Sequence, residues 1–100
     1  DENGVTGVRL VHSSGEMKDI PIHGFFLAIG HHPNSEPFRP WIEVNAEGYI
    51  LTKGKTSHTN VEGVFAAGDV QDPRYRQAIT AAAGGCMAAI DAERYLSEQL

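Results

Sequence analysis

Gly63-Val64-Phe65-Ala66-Ala67-Gly68-Asp69 is the stretch that decides how this chain is read. Val64 to Ala67 form a short apolar run, a predicted strand, which stops at a glycine followed by a carboxylate. The arrangement suits a ligand that carries a sugar-like chain. Gly68 lets such a ligand approach without a Cβ in the way, and Asp69 offers two strong acceptors to hydroxyl groups. Taken alone, the seven residues favour a buried strand followed by a turn aspartate, and their surroundings reverse that reading.

Downstream, Val70 to Ala78 is turn-like, with Asp72-Pro73 marking a loop or helix entry. An Ala-rich segment without proline follows, and it predicts one helix from about Arg76 to about Leu96, on the order of 30 Å long at 1.5 Å per residue. Ile79, Ala82, Ala83, Cys86, Met87, Ile90 and Arg94 recur at helical spacing, and all but the last are apolar or small. The first amides of such a helix lack internal partners and sit at the positive end of its dipole. A strand end bearing a carboxylate is thus followed, a few residues later, by free amides. The pair can grip two separated parts of one elongated ligand.

T-x-x-x-G-V-F-A-A-G-D (Thr59 to Asp69), Y-R-Q-A (Tyr75 to Ala78), G-C-M-A-A-I-D-A-E-R-Y-L (Gly85 to Leu96) and A-I-G-H-x-P-N (Ala28 to Asn34) together resemble the bacterial, low-molecular-weight thioredoxin reductases. The likeness runs along nearly the whole chain. The G-D motif is common to many flavoproteins with two dinucleotide-binding domains, whereas Y-R-Q-A followed by the Gly85–Leu96 motif is much narrower. The resemblance implies an α/β chain carrying part of that two-dinucleotide-binding flavoprotein fold. Residues 1–30 would be the last β elements of an NADPH-binding domain, and residues 31–100 the C-terminal strands and long helix of an FAD-binding domain. It implies FAD contacts at Gly68, Asp69, Arg76, Gln77 and Ala78, with Asp69 on the ribityl hydroxyls and the Arg76-Gln77-Ala78 backbone at the pyrimidine edge of the flavin. Reduction of a flavin places negative charge near N1 and the C2 carbonyl, which amides at a helix start stabilise without a proton. Arg76 either adds positive charge there or faces solvent. Thioredoxin as the electron acceptor, a homodimer and a cytoplasmic setting complete what the resemblance implies.

Other expected parts are not in this sequence. It has no G-x-G-x-x-G turn, and its one cysteine, Cys86, cannot form a C-x-x-C redox pair. NADPH would therefore be held mainly outside this chain, and no catalytic residue is expected within it. The chain opens Asp1-Glu2-Asn3-Gly4, its first methionine is Met17, and it reads as the C-terminal piece of a longer polypeptide. Eight basic against 13 acidic residues, net −5, argue against nucleic acid or anionic membrane as a main partner. No apolar run approaches ~20 residues, which argues against a membrane span, and a lone cysteine fits a reducing cytoplasm. A reductase of similar layout with another acceptor, such as a ferredoxin–NADP reductase or a peroxiredoxin-reducing flavoprotein, is the nearest alternative. A non-catalytic FAD-binding or interaction module is the alternative from a different class.

Finer expectations follow from local pattern. Gly7 to His12 and Asp19 to Gly24 alternate around Ser13-Ser14-Gly15-Glu16 and predict a hairpin. Phe25 to Ile29 is a continuous apolar run, typical of a strand buried on both faces. Ile42 to Thr52 predicts a second hairpin-like piece around Gly48. Trp41 and Cys86 read as packing residues, and His31-His32 as residues of a domain crossing, not metal ligands. The family commonly has a hydroxyl-bearing residue in its A-G-[ST]-G-C stretch, where this chain reads Ala82-Ala83-Gly84-Gly85-Cys86. Glycine inside a helix costs roughly 1 kcal/mol relative to alanine. The pair is expected to admit a close neighbour, a helix contributed by the N-terminal part.

Overall fold

A computed structural model describes residues 1–100, which divide into two compact units, Asp1–Gly30 and His31–Leu100. In the first unit β1 (Gly7–Val11) pairs antiparallel with β2 (Met17–Pro21), in a register that sets Val8 opposite Ile20 and Arg9 opposite Asp19. The turn closes through bonds from the His12 amide to the Glu16 carbonyl and from the Gly15 amide to the His12 carbonyl, each 2.8 Å. Gly15 takes φ +87°, a conformation that suits glycine. Arg9 and Asp19 form an ion pair of 2.7 Å, exposed to solvent.

Phe25 to Ile29 departs from expectation, being neither strand nor buried. Phe26 is 95% exposed and Ile29 83%. An apolar strand is buried on both faces only when neighbouring strands and covering helices are supplied, and the first unit offers a single two-stranded sheet.

The second unit is built around Ile42, Ile50 and Ala66, with Val44, Val61, Val64 and Val70 packed against them. Ile42 to Thr52 folds back on itself through one bridge, Val44 to Ile50. The Asn45 side chain closes that turn by accepting the amides of Glu47 and Tyr49, both at 3.0 Å. The predicted strand Val64–Ala67 is likewise reduced to a single bridge, His58 to Phe65. Its remaining bonds run to loop carbonyls, such as Ala66 amide to Ser57 carbonyl at 2.9 Å. Trp41 is 70% exposed and so does not pack within this unit.

The long helix, α1, spans Ala78–Glu98. Its start lies two residues later than predicted, because Arg76 adopts φ +50° and Gln77 is extended at φ −119°, ψ 151°. The half-buried face is not the apolar row that helical spacing picks out. Ala81, Gly84, Ala88, Asp91, Ala92 and Tyr95 are half-buried, whereas Ile79, Ala82, Ala83, Cys86, Met87 and Ile90 face outward. Those two sets lie on opposite sides of a helix with 3.6 residues per turn. A helix apolar on two sides calls for cover on both, and periodicity alone does not say which side this unit covers. With this face and Phe25 to Ile29 both open, residues 1–100 expressed alone are expected to self-associate. Light scattering and binding of an apolar-surface dye check this, and a monodisperse yellow preparation would contradict it.

Candidate cofactor site

Backbone geometry brings the predicted residues of the second unit into one region. Gly68 begins a single 3-10 turn, Gly68–Val70, at φ +80°, so the chain reverses where an L side chain would be strained. The Gly68 carbonyl accepts the amides of Gln71 and Asp72, both at 3.1 Å, while the Ile50 amide donates to the Val70 carbonyl at 2.9 Å. The turn is thereby pinned to the core on one side. On the other side, a Cβ built on Gly84 would stand 3.3 Å from the Gly68 amide nitrogen and 3.5 Å from Ala67 Cβ. The close neighbour that Gly84 admits is therefore the Asp69 turn of this same chain, not a helix from elsewhere. Gly85 has nothing within 4 Å of its would-be Cβ. Asp69 itself is exposed on this fixed turn.

Asp72, which sequence reading took only as part of a loop or helix entry, organises the next segment. Its carboxylate accepts the amides of Arg74 (2.9 Å), Tyr75 (2.9 Å) and Arg76 (3.0 Å). These bonds, led by the one from Tyr75, hold its pKa below the ordinary value of 3.8, with a smaller contribution from the Arg76 charge. The only available signal was the Asp-Pro pair, because an aspartate before proline readily gathers the amides that follow it. Three amides around one carboxylate hold Arg76 at its positive φ, and the Arg76 guanidinium donates to the Tyr49 hydroxyl at 3.3 Å. Arg76 is thus half-buried against a buried tyrosine.

Directly after Arg76, the Gln77 amide donates to Thr80 Oγ1 (3.2 Å), and that hydroxyl donates back to the Gln77 carbonyl (2.9 Å). Of the two amides expected at a ligand edge, Gln77's has a partner inside the chain. Ala78 occupies the first helical position, whose amide has no acceptor within a helix.

Deeper along α1, Asp91 accepts the amide (3.0 Å) and the hydroxyl (2.7 Å) of Ser57. The two Ser57 bonds, the hydroxyl first, lower the Asp91 pKa as well. Groups with depressed folded values contribute stability above the ordinary aspartate value near 3.8 and lose it as pH falls through the lower folded values. Acid titration of the full-length protein is therefore expected to loosen both loops below about pH 4. Tyrosine fluorescence follows the change, and Asp72→Asn should remove one part of it. No group of three or more His, Cys, Asp or Glu side chains is arranged to hold a metal. His31 is exposed, and His32 lies 3.8 Å from Glu36.

A positive-φ glycine followed by an exposed carboxylate, and an open helix-start amide nine residues further on, fit a flavin dinucleotide. A Cβ on Gly68 would point at Ala81 of α1, 3.7 Å away, so the glycine serves the positive φ of the turn and its seating on the helix and does not open space for a ligand. The donor and acceptor types match ribityl hydroxyls and a ring edge. Comparison with known proteins bears on that fit. Residues 1–85 match the family description "Pyridine nucleotide-disulphide oxidoreductase". The chain belongs to the pyridine nucleotide-disulphide oxidoreductase family. It is 54% identical to a thioredoxin reductase of Vibrio cholerae over 104 residues, covering 99% of this chain and 32% of that protein. Identity to the thioredoxin reductase of Mycolicibacterium smegmatis is also 54%, over 95% of this chain and 31% of the relative. Among solved structures, thioredoxin reductase from Giardia duodenalis superposes with a TM-score of 0.72 at 39% identity, over 92% of this chain and 31% of that one. The enzyme from T. acidophilum gives a TM-score of 0.73 at 31% identity, over all of this chain and 33% of that one. This chain of the family thus spans about a third of the length of the relatives it matches. Its two-stranded sheet and single long helix form part of an α/β flavoprotein fold.

Proposed function

We propose that this chain is the C-terminal part of an FAD- and NADPH-dependent thioredoxin-disulfide reductase. The observation that carries the reading is the exposed Asp69 carboxylate on a turn fixed by Gly68, the Ile50 amide and Gly84. It occurs in a chain 54% identical to thioredoxin reductases along nearly its whole length. In this reading residues 1–30 belong to the NADPH-binding domain and residues 31–100 to the FAD-binding domain.

When bound, FAD supplies electron transfer from NADPH to a cysteine pair outside this chain, and from there to thioredoxin. The residues here bind and orient. Asp69 would accept hydrogen bonds from ribityl hydroxyls, presented by a turn that the positive φ of Gly68 makes possible. The Ala78 amide, with the dipole of α1 behind it, would serve the ring edge where negative charge gathers. Asp72 and Tyr49 fix Arg76, and hence the direction in which that helix start points. The family resemblance also supports a homodimer in the cytoplasm.

The test is NADPH oxidation by the purified full-length protein with thioredoxin, ferredoxin or a peroxiredoxin as acceptor. Turnover with thioredoxin is expected. Turnover with one of the others alone would assign a related reductase. A yellow protein that turns over none of them would be a non-catalytic FAD-binding module.

A further inference from the structure

Ser57 is 3% exposed, yet it presents an amide and a hydroxyl, and both go to one carboxylate, that of Asp91. Its carbonyl accepts the amide of Ala66 at 2.9 Å, only three residues before Asp69. Between them the loop is cross-tied again. Thr59 Oγ1 donates toward the Val64 carbonyl at 2.9 Å, and His58 bridges Phe65 with their rings edge to face at 5.1 Å. The loop lies along α1, where Tyr95 meets the edge of Phe65 at 6.0 Å and fills the space beside Gly63. Helix α1 therefore holds the Asp69 segment at two stations. At Gly84 the contact is steric, against the Gly68 amide and Ala67. At Asp91, seven residues and two turns on, about 10 Å along the axis, it is a pair of charge-assisted hydrogen bonds.

The two stations constrain different motions. Close packing at Gly84 stops the turn from approaching the helix, but it does not stop the turn from lifting away or sliding. A carboxylate gripping both donors of a buried serine, whose carbonyl holds Ala66, opposes both. We propose that Asp91 is a positioning residue for the cofactor, acting through Ser57 and Ala66 to set where the Asp69 carboxylate stands. The inference rests on the reading of Asp69 as the ribityl anchor. Asp91 does not touch the cofactor itself; it restricts the arm that carries the residue which does.

The test is a double-variant cycle on FAD affinity in the full-length protein, measured by quenching of flavin fluorescence, with variants Asp91→Asn, Asp69→Ala and both together. Asp91→Asn keeps the size of the side chain but weakens its acceptors, and is expected to lower FAD affinity about tenfold. In the Asp69→Ala background the same change should alter affinity less than about twofold, since the residue it positions is gone. A merely structural role would give a penalty of equal size in both backgrounds, and that result overturns the proposal, as does unchanged affinity in Asp91→Asn alone. Unchanged affinity in Asp69→Ala would overturn the ribityl reading, and this inference with it. If Asp91→Asn folds poorly, Ser57→Ala removes the hydroxyl bond while keeping the amide bond, and the same cycle decides.

Discussion

Asp69→Ala in the full-length protein is expected to cost roughly one to two orders of magnitude in FAD affinity, since hydrogen bonds to a charged acceptor are worth ~1.5–3 kcal/mol. The turn beneath Asp69 does not depend on its side chain. Gly68 supplies the positive φ, the Gly68 carbonyl takes two following amides, and Ile50 holds Val70. The variant should therefore keep the fold and lose the ligand. Flavin content after gel filtration, set beside an unchanged thermal melt, measures both. Flavin retained in full would remove Asp69 from the site.

Replacing Ala78 by proline should lower the two-electron potential of the bound flavin by roughly 30–65 mV, the equivalent of losing one hydrogen bond to a charged acceptor at 30 mV per 1.4 kcal/mol. The structure makes this substitution clean. Ala78 is the first residue of α1, a position where proline is well accepted. Gln77 before it is extended at ψ 151°, the conformation that a residue preceding proline prefers. Only a donor is removed. Its loss destabilises the reduced, more negative flavin, so the potential falls. A redox titration against the parent protein reads the shift, once flavin content is shown to be equal. A potential that stays or rises would mean that the helix start points away from the ring.

What the sequence disclosed and what it withheld divide along physical lines. The turn at Gly68, the hairpin around Gly15 and the existence of α1 were legible because each is specified locally, by glycine, alternation and an uninterrupted run of helix formers. Phe25 to Ile29 misled because an apolar run states a need for cover without stating who provides it. Val64 to Ala67 shrank to one bridge for the same reason. Helical spacing did not disclose which face of α1 this unit covers, because small residues lie on both of its sides. What selects the inner side is the close approach at Gly84, which depends on a turn 16 residues earlier. The roles of Asp72 and Asp91 were missed since their partners are backbone amides and a serine, which leave no charge pattern to find. Asp91 lies seven residues after Gly84 on the same helical row, a spacing that becomes informative only once Gly84 is known to face inward.

The contact between Gly84 and the Gly68 turn also works as a key in a lock. Slipping α1 by four residues would bring Thr80 or Ala88 to that contact, and slipping it by three would bring Ala81 or Met87, each with a β-carbon that would crowd the Gly68 amide. A rotation of one residue, 100° about the axis, would turn the Gly84 notch away from the turn. Only Gly84 and, one residue on, Gly85 bring no β-carbon to that contact, and the observed azimuth uses Gly84. That azimuth in turn aims Ile79, Cys86, Met87 and Ile90 outward as a set. A methyl group absent from one side of the helix thus helps to set the bearing of the greasy stripe on the other.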